Sequence, residues 1–365
     1  MKRYFLIFIY ALFCSYVIAQ NDTITVKTSE RQTATNSKSN YVYEKVKDFN
    51  KVDTSYIEPQ HYNFTVMLQN TNTYDLYTIE SKNGYSMVFA PEPTVKIGPY
   101  FGWRWVFAGY TFDIGHLSNN SKKEFDISIY SSKIGIDLFY RKTGEDYKIR
   151  DIDLGKDINT KSLNGMPFGG LSVGIKGFNA YYIFNHHKFS YPAAFSQSTR
   201  QKRSCGSPLI GLGYTRHVLG FDYNKLQNLI KDKIPEYEQQ IDSGLMFSKI
   251  RYTDISLSGG YAYNYVFSKN WLLAISLSLA IGYKHSSGDL QHNGFRFRDF
   301  SFSNISLDGV GRFGIVWNND KWYAGSSAIL HSYNYNKPQF STSNLFGSIN
   351  IYVGFNFGRR KMKEK

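Results

Sequence analysis

The stretch that decides the fold is Trp271 to Tyr283, "WLLAISLSLAIGY". Large apolar side chains occupy every second position from Trp271 to Ile281, and from Ala274 onward the positions between them hold only Ala, Ser and Gly. Neighbouring residues of a β-strand point to opposite faces, so this segment has one apolar face and one face of small residues. Such alternation over about ten residues is typical of a strand that separates lipid from a narrow lumen.

The same alternation recurs from about Tyr62 to the end of the chain. It is clear in "IGPYFGWRWVFAGY" from Ile97, in "KIGIDLFYR" from Lys133 and in "ISLSGGYAYNYVF" from Ile255. A soluble sandwich or jelly roll also alternates, but its outer face carries charges, whereas the second face here is mostly Gly, Ala, Ser and Asn. The sequence therefore predicts an all-β fold, an antiparallel transmembrane β-barrel of about 12 strands, within a range of about 10 to 14.

Composition agrees with this fold and narrows the partners. The 365 residues include 17% aromatics and 30 Gly but only 9 Pro, a mixture that favours strands. The formal net charge of +14 fits nucleic acid, an anionic membrane surface or anionic solutes equally well. Because an exported barrel does not meet nucleic acid, we expect no nucleic-acid partner, and we expect contacts with outer-membrane lipid and lipopolysaccharide instead.

The N-terminus indicates export. Lys2 and Arg3 precede an apolar run that ends in small residues, which predicts a signal peptide over 1–19, cut between Ala19 and Gln20. An uncleaved membrane anchor is the less favoured alternative, because the apolar run is short. Residues 20–60 form a polar N-terminal linker that can hold one short helix, 61–358 the barrel, and 359–365 a basic C-terminal tail. The predicted location is the outer membrane of a Gram-negative bacterium.

One segment departs from the strand pattern. In "DYNKLQNLIKDKIPEYEQQID", residues 222–242, apolar residues recur at helical spacing, Asp222 can cap the N-terminus and Pro235 can end the helix. The sequence predicts one short helical insertion there. It can cover a barrel mouth, lie on the membrane surface, or be a hairpin without a role of its own.

The last predicted strand is Asn344 to Gly358, "NLFGSINIYVGFNFG". A barrel has no free edge only if its last strand pairs with its first, so we expect this strand to close the barrel. Phe355 and Phe357 near its end resemble the signal read by the outer-membrane insertion machinery, an expected partner. The chain departs from that pattern because seven residues follow Gly358.

Several charged residues fall on the non-apolar face of predicted strands. On the lipid side, Lys or Arg costs about 2–4 kcal/mol at the middle of the bilayer, so we place these charges in the lumen. The candidate lumen-lining residues are Arg104, Lys133, Asp137, Arg141, Lys176, Asp308 and Arg312. Two interpretations remain: a water-filled channel that prefers anions, or an interior plugged by Arg–Asp pairs.

Two segments match catalytic or cofactor-binding motifs, but the secondary structure predicted around them does not fit those motifs. "GLSVG" from Gly170 lies inside an alternating strand, whereas a nucleophile elbow needs a strand, a sharp turn and a helix. "GVGRFG" from Gly309 leads into more strand, whereas a dinucleotide fingerprint opens a helix. The eight His are scattered and Cys205 is the one cysteine after the predicted cut. We therefore expect no catalytic residues, no metal site and no cofactor.

Three stretches carry a family resemblance. They are "DTSYIEPQHYNFTVMLQN" from Asp53, "IGPYFGWRWVFAGYTFDI" from Ile97 and "EFDISIYSSKIGIDLFYRKTGEDYKIR" from Glu124. They resemble a family catalogued as domain of unknown function 4421, typical of Bacteroides-like Gram-negative bacteria. The resemblance implies an exported, barrel-like protein and assigns no activity, ligand or catalytic residue.

Three functions are open at this point. The first is an outer-membrane barrel that is either a narrow pore for small solutes, anions in particular, or a structural barrel. The second is a barrel enzyme acting on lipid or cell-wall material, which would need a nucleophile beside a base on an exposed rim. The third is a surface-binding or assembly component that uses its loops and the helix of 222–242.

Overall fold

The structure is a computed structural model that describes residues 52–103, 106–109, 112–113, 123–143, 146–155, 158–235, 237, 245, 248–288, 304–337 and 339–360. The predicted signal peptide, residues 20–51 of the predicted linker, Arg104 and the tail beyond Arg360 lie outside these residues. The strands are β1 (Ile57–Pro59), β2 (Tyr62–Ser81), β3 (Ser86–Pro91), β4 (Thr94–Trp103), β5 (Val106–Gly109), β6 (Phe112–Asp113), β7 (Lys123–Tyr130), β8 (Ile134–Lys142), β9 (Tyr147–Asp153), β10 (Leu171–Ile183), β11 (Thr199–Gln201), β12 (Cys205–Phe221), β13 (Lys249–Ser268), β14 (Trp271–Gly288), β15 (Ile305–Asn318), β16 (Trp322–Asn336) and β17 (Phe340–Arg359). The helices are α1 (Pro192–Phe195) and α2 (Tyr223–Lys233), with a 3₁₀ turn at Lys161–Leu163.

Twelve strands follow one another in a single antiparallel path. The order is β5-β4-β2-β17-β16-β15-β14-β13-β12-β10-β8-β7. Its two ends, β5 and β7, are joined along the chain through β6 and residues 114–122, and the latter lie outside the described residues. Outside the path, β3 joins β2 to β9, and β1 pairs with β11 in a small separate sheet. The predicted antiparallel barrel of about 12 strands is confirmed.

The seam of the barrel is the pairing of β2 with β17, which are the first and the last strands of the path in chain order. Their register runs from Phe340 opposite Ser81 to Arg359 opposite Tyr62. Beyond the last pair, the backbone N–H of Arg360 donates to the carbonyl of His61 at 2.8 Å. The segment "NLFGSINIYVGFNFG" therefore closes the sheet against its first long strand, as its alternation predicts.

The outward faces of the strands form an apolar belt. Large apolar side chains on these faces are 37–64% exposed. Examples on central strands are Ile255 (64%), Leu277 (57%) and Ile351 (56%). A monomeric soluble protein rarely exposes so large a continuous apolar surface, whereas a membrane barrel needs one.

The two ends of the barrel differ. Short turns at 131–133, 269–270 and 319–321 lie at the end where β2 begins and β17 finishes, which we call the turn end. The opposite end carries α2 and the connection of 222–248, and we call it the helix end. The predicted helical insertion is confirmed: the Asp222 side chain accepts the Lys225 N–H at 2.9 Å, and α2 stops before Pro235.

Apolar side chains fill the barrel interior near the helix end. Leu226 and Ile230 of α2 are completely buried there. They belong to one cluster with inward residues of the barrel strands and of β3 and β9, including Met87, Phe89 and Val173. The helix therefore covers this mouth with its apolar face. In the part of the chain that is described, no helix has the length and apolar content needed to cross a membrane.

Candidate functional site

An ion pair crosses the lumen between β8 and β15. An Arg312 guanidinium N–H donates to Oδ2 of Asp137, whose Oδ1 accepts the Ser128 hydroxyl at 2.7 Å. These two strands are five places apart in the twelve-strand path, so they lie on nearly opposite walls. The side chains of Arg312 and Asp137 are 3% and 7% exposed. Because two side chains bridge the walls, the lumen is narrow at this level.

Aromatic rings close the space around this pair. The Arg312 guanidinium carbon lies 5.0 Å from the ring centroid of Tyr181. The rings of Tyr130 and Tyr191 stack at 5.7 Å, and the hydroxyls of Tyr191 and Ser276 are hydrogen-bonded to each other. A cation over aromatic faces is stabilised by the ring quadrupole. The arrangement orders Arg312 in addition to neutralising it.

A second basic side chain, Arg141, lies on β8 four residues beyond Asp137 toward the helix end. Arg141 donates to Asp126 at 2.9 Å, and its guanidinium carbon lies 4.7 Å from the ring of Phe346 on β17. Phe139, on the same face of β8, lies 6.0 Å from Phe346 between ring centroids. Contacts between β8 and β17 again cross the lumen.

A third polar group lies on β14, β15 and β16. The Lys284 ammonium donates to Asp308 at 2.9 Å and to the backbone carbonyl of Asn334, whose own N–H donates to the same Asp308 oxygen at 2.9 Å. Lys284 is 2% exposed and Asp308 is 3% exposed. Asp308 is among the predicted lumen residues and Lys284 is not, although alternation from Ser276 and Ala280 places Lys284 on the same inward face.

Asp254 on β13 adds an acid to this group. It is directly opposite Lys284 in the β13–β14 register and completely buried. Neither of its carboxylate oxygens has a hydrogen-bond partner among the described residues. The same holds for Oδ2 of Asp308 and Nδ1 of His217 nearby. Buried polar atoms are almost always satisfied, so ordered water in this part of the lumen would complete the network.

The connection between β10 and β12 enters the lumen from the turn end. We call residues 185–204 the lumen segment; it contains α1 and β11. Tyr191 and Ala194 are completely buried, and the Gln197 side chain donates to the Tyr352 hydroxyl at 2.9 Å. The turn Asn185–Lys188, "NHHK", therefore begins a long insertion rather than joining two strands directly.

Contacts at the turn end also hold the lumen segment in place. Strand β11 pairs with β1, which lies just before the barrel in the chain. Arg200 forms an ion pair with Glu58 and donates to the Asn270 side chain at 2.6 Å. These contacts connect the lumen segment to β1 and to the β13–β14 turn.

The seven predicted lumen residues have four different outcomes. Asp137, Arg141, Asp308 and Arg312 lie in the interior and take part in three ion pairs. Contrary to the prediction, Lys176 is exposed on the outer wall, because Val173 and Ile175 occupy the inward face of β10 near the helix end. Lys133 lies in the β7–β8 turn, half-buried, rather than within a strand. Arg104 is outside the described residues.

The two predicted insertion-signal residues lie on the outward face of β17 near the turn end. Phe357 is 37% exposed and stacks on Phe64 of β2 with centroids 5.5 Å apart. Phe355 packs against Trp322 at 4.5 Å. In the described ranges, no group of three His, Cys, Asp or Glu side chains is arranged to hold a metal ion.

Comparisons with known proteins complete the description. No curated protein matches the chain. Solved structures of low similarity include a bacterial polysaccharide outer membrane secretin (9% identity, TM-score 0.28, covering 81% of this chain and 99% of that one), and the translocator domain of autotransporter NalP from Neisseria meningitidis (12% identity, TM-score 0.27, 89% and 96%). An outer membrane channel from Pseudomonas putida F1 has 8% identity and a TM-score of 0.27, with 82% and 97% covered. The family described as Domain of unknown function (DUF4421) matches residues 51–357. The chain belongs to this family.

Proposed function

We propose that the protein is an integral outer-membrane β-barrel that is closed at rest and serves a structural role. The apolar belt supports the membrane setting, because water-facing strands do not present such a surface. In single-chain barrels the short turns face the periplasm and the longer loops face outward. On this basis the turn end is periplasmic and the helix end is extracellular.

The observation that carries closure is the Asp137–Arg312 pair across the lumen. A second obstruction lies on its periplasmic side, where Tyr191 and Ala194 of the lumen segment fill the interior. A third is the apolar cluster under α2 at the extracellular mouth. A pore for hydrated anions would need a continuous polar path past all three, so this arrangement favours the structural barrel over a constitutive anion pore. The proposal includes no catalytic activity.

Single-channel recording in planar bilayers tests this proposal. We expect the folded wild-type protein to show no steady conductance in molar KCl. A variant in which residues 190–198 are replaced by a Gly-Ser linker removes Tyr191 and α1, and we expect it to stay silent because the Asp137–Arg312 pair and the apolar cluster under α2 remain. Adding Arg312→Ala and a Gly-Ser replacement of α2 (223–233) to that variant opens all three obstructions and should give steady conductance.

The control is a Gly-Ser replacement of 319–321, a turn that lies outside the lumen. It should remain silent, because it leaves all three obstructions in place. Stable, ion-selective steps from the wild-type protein would overturn the closed-barrel proposal and favour the pore. Heat-modifiable electrophoretic mobility establishes that each variant is a folded barrel before it is recorded.

A further inference from the structure

Five exposed basic side chains gather on one outer wall near the helix end. They are Lys142 on β8, Lys176 on β10, Arg216 on β12, and Lys249 and Arg251 on β13. These four strands are consecutive neighbours in the barrel. All five residues lie on the outward faces, which become the apolar belt farther from the helix end.

The strand register arranges these residues around a shallow floor. Lys176 is directly opposite Arg216. The adjacent row toward the helix end reads, strand by strand, Lys142, Gly174, Val218 and Arg251. The next row holds Ser172, Gly220 and Lys249. Small residues therefore occupy the centre and long basic ones the border. We call this surface the basic basin.

The floor of the basic basin is open at Gly174. A Cβ added to Gly174 would meet nothing nearer than Val218 at 3.8 Å. Adjacent strands are about 4.8 Å apart and alternate residues about 6.7 Å apart. The long stems of Lys and Arg can therefore lean inward and bring their charges over the same central space.

Among the described residues, no acidic side chain neutralises the basin. The outward faces of β8, β10, β12 and β13 carry no Asp or Glu, and none of the five basic residues forms an ion pair with a described residue. Like charges directly opposite on neighbouring strands, as in Lys176 and Arg216, destabilise a sheet. A bound anion would remove that repulsion.

Along the described strands, the charge is local rather than a uniform ring. On the opposite wall, the outward faces of β2 and of β14 to β17 carry no Lys or Arg near the helix end, and β2 presents Glu80 there. Directly beneath the basin, Phe178 and Tyr214 are register partners with stacked rings 6.2 Å apart. Ile255 continues this apolar surface on β13. A ligand on this wall meets several cations above and lipid-facing aromatics below.

We propose that the basic basin binds the phosphate groups of a phosphorylated glycolipid in the outer leaflet, with the acyl chains of that lipid lying along the wall beneath. In a Gram-negative outer membrane this chemistry is that of the lipid A part of lipopolysaccharide. Arg and Lys are the side chains that bind phosphate oxygens with charge-assisted hydrogen bonds. The inference rests on the proposed membrane setting, with the helix end outward.

Native mass spectrometry of the detergent-purified full chain tests the site. The probes are lipid A with two phosphates, with one phosphate and with none. We expect Lys176→Gln/Arg216→Gln to bind the diphosphorylated probe about 30-fold more weakly, since each cation near an anionic surface contributes about 1 kcal/mol, or about fivefold. The matched control is Lys188→Gln/Lys202→Gln, two exposed lysines at the turn end, which should bind as the wild type does.

Wild-type protein alone provides an independent arm. Its affinity should fall with each phosphate removed from the probe, and inorganic pyrophosphate should not displace the lipid at equal concentration. Equal binding of the phosphate-free probe, or equal weakening by the control variant, would overturn the proposal. Displacement by pyrophosphate would overturn the lipid assignment. Loss of the protein from the outer-membrane fraction in cells would instead refute the membrane setting, so the two failures are distinguishable.

Discussion

Asp137→Asn should destabilise the barrel strongly, because Asp137 is the carboxylate that crosses the lumen to Arg312. The amide keeps the shape and can still accept the Ser128 hydroxyl, which lies 2.7 Å from Oδ1 in the wild type. It removes the charge that compensates a guanidinium with 3% side-chain exposure. Breaking a buried ion pair by removing one partner costs about 3–5 kcal/mol, so we expect a loss of that size.

The assay is equilibrium urea unfolding in phospholipid vesicles, followed by Trp fluorescence. A double-mutant cycle isolates the pair: Arg312→Met alone leaves Asp137 buried and uncompensated, and should also cost about 3–5 kcal/mol. The double variant removes both charges together, and we expect it to lie within about 1 kcal/mol of the wild type. The cycle would then give a coupling energy of several kcal/mol.

The matched control is Glu58→Gln, which breaks the ion pair of Glu58 with Arg200. Those side chains are 25% and 28% exposed, and an exposed pair contributes about 0.2–1 kcal/mol. A loss below about 1 kcal/mol for Asp137→Asn, or purely additive effects in the cycle, would refute the view that this pair joins the two walls.

Three further predictions address the belt, α2 and the lumen segment. Ile351→Arg places a cation on the lipid face and should cost about 2–4 kcal/mol in the same unfolding assay; wild-type stability would contradict the outward assignment. Asp222→Ala removes the cap of α2 and should cost that helix about 1 kcal/mol, visible as faster amide exchange over 223–233 and contradicted by unchanged exchange. Burial and the positive charges beside it lower the pKa of His186 from its ordinary 6.5, so the folded state favours the neutral ring. The stability that this provides is complete above about pH 6.5 and is lost as the pH falls through the lowered pKa. Amide protection factors over 185–204, which are corrected for the pH dependence of intrinsic exchange, should therefore fall below pH 6.5 in the wild type, and the same fall in His186→Gln would exclude His186 as the cause.

The faces of the central strands were predictable because one rule governs them throughout the belt. Leu277 and Ile351 face outward, as the two-residue alternation of β14 and β17 requires. The small residues that alternate with the large apolar ones on each strand face a lumen with little space. Because side chains alternate between the two faces of a strand, assigning one face to lipid fixes the direction of every side chain on that strand. The alternation is therefore sufficient to predict the barrel fold without any knowledge of long-range contacts.

The same rule fails where the strands leave the belt. The cost of a cation on a lipid-facing surface predicts a lumen position for Lys176. That cost falls toward the interface, where the outward side meets head groups and water. The interior near the helix end is instead apolar, with Val173 and Ile175 buried. Assigning such a charge needs the height of each residue relative to the belt, and this depends on strand tilt and register.

The lumen segment was not predictable from its own residues. It has neither a two-residue nor a helical period, and α1 spans only four residues. What holds it are contacts with distant parts of the chain, such as that of Gln197 with Tyr352, 155 positions away. The pairing of Asp137 with Arg312 was equally unpredictable. The sequence shows the two charges, but only the fold shows that they pair with each other.

The seam between β2 and β17 has a kinetic consequence. Gln69 and Asn350 are hydrogen-bonded neighbours although 281 positions separate them in the chain. Contacts at such separation form late, because the intervening chain must already be ordered before they offset the entropy of closing the loop. Until then β2 and β17 both expose unpaired backbone edges, which readily pair with other chains. The nascent protein therefore needs protection of both edges until its final strand has crossed into the compartment where the sheet closes.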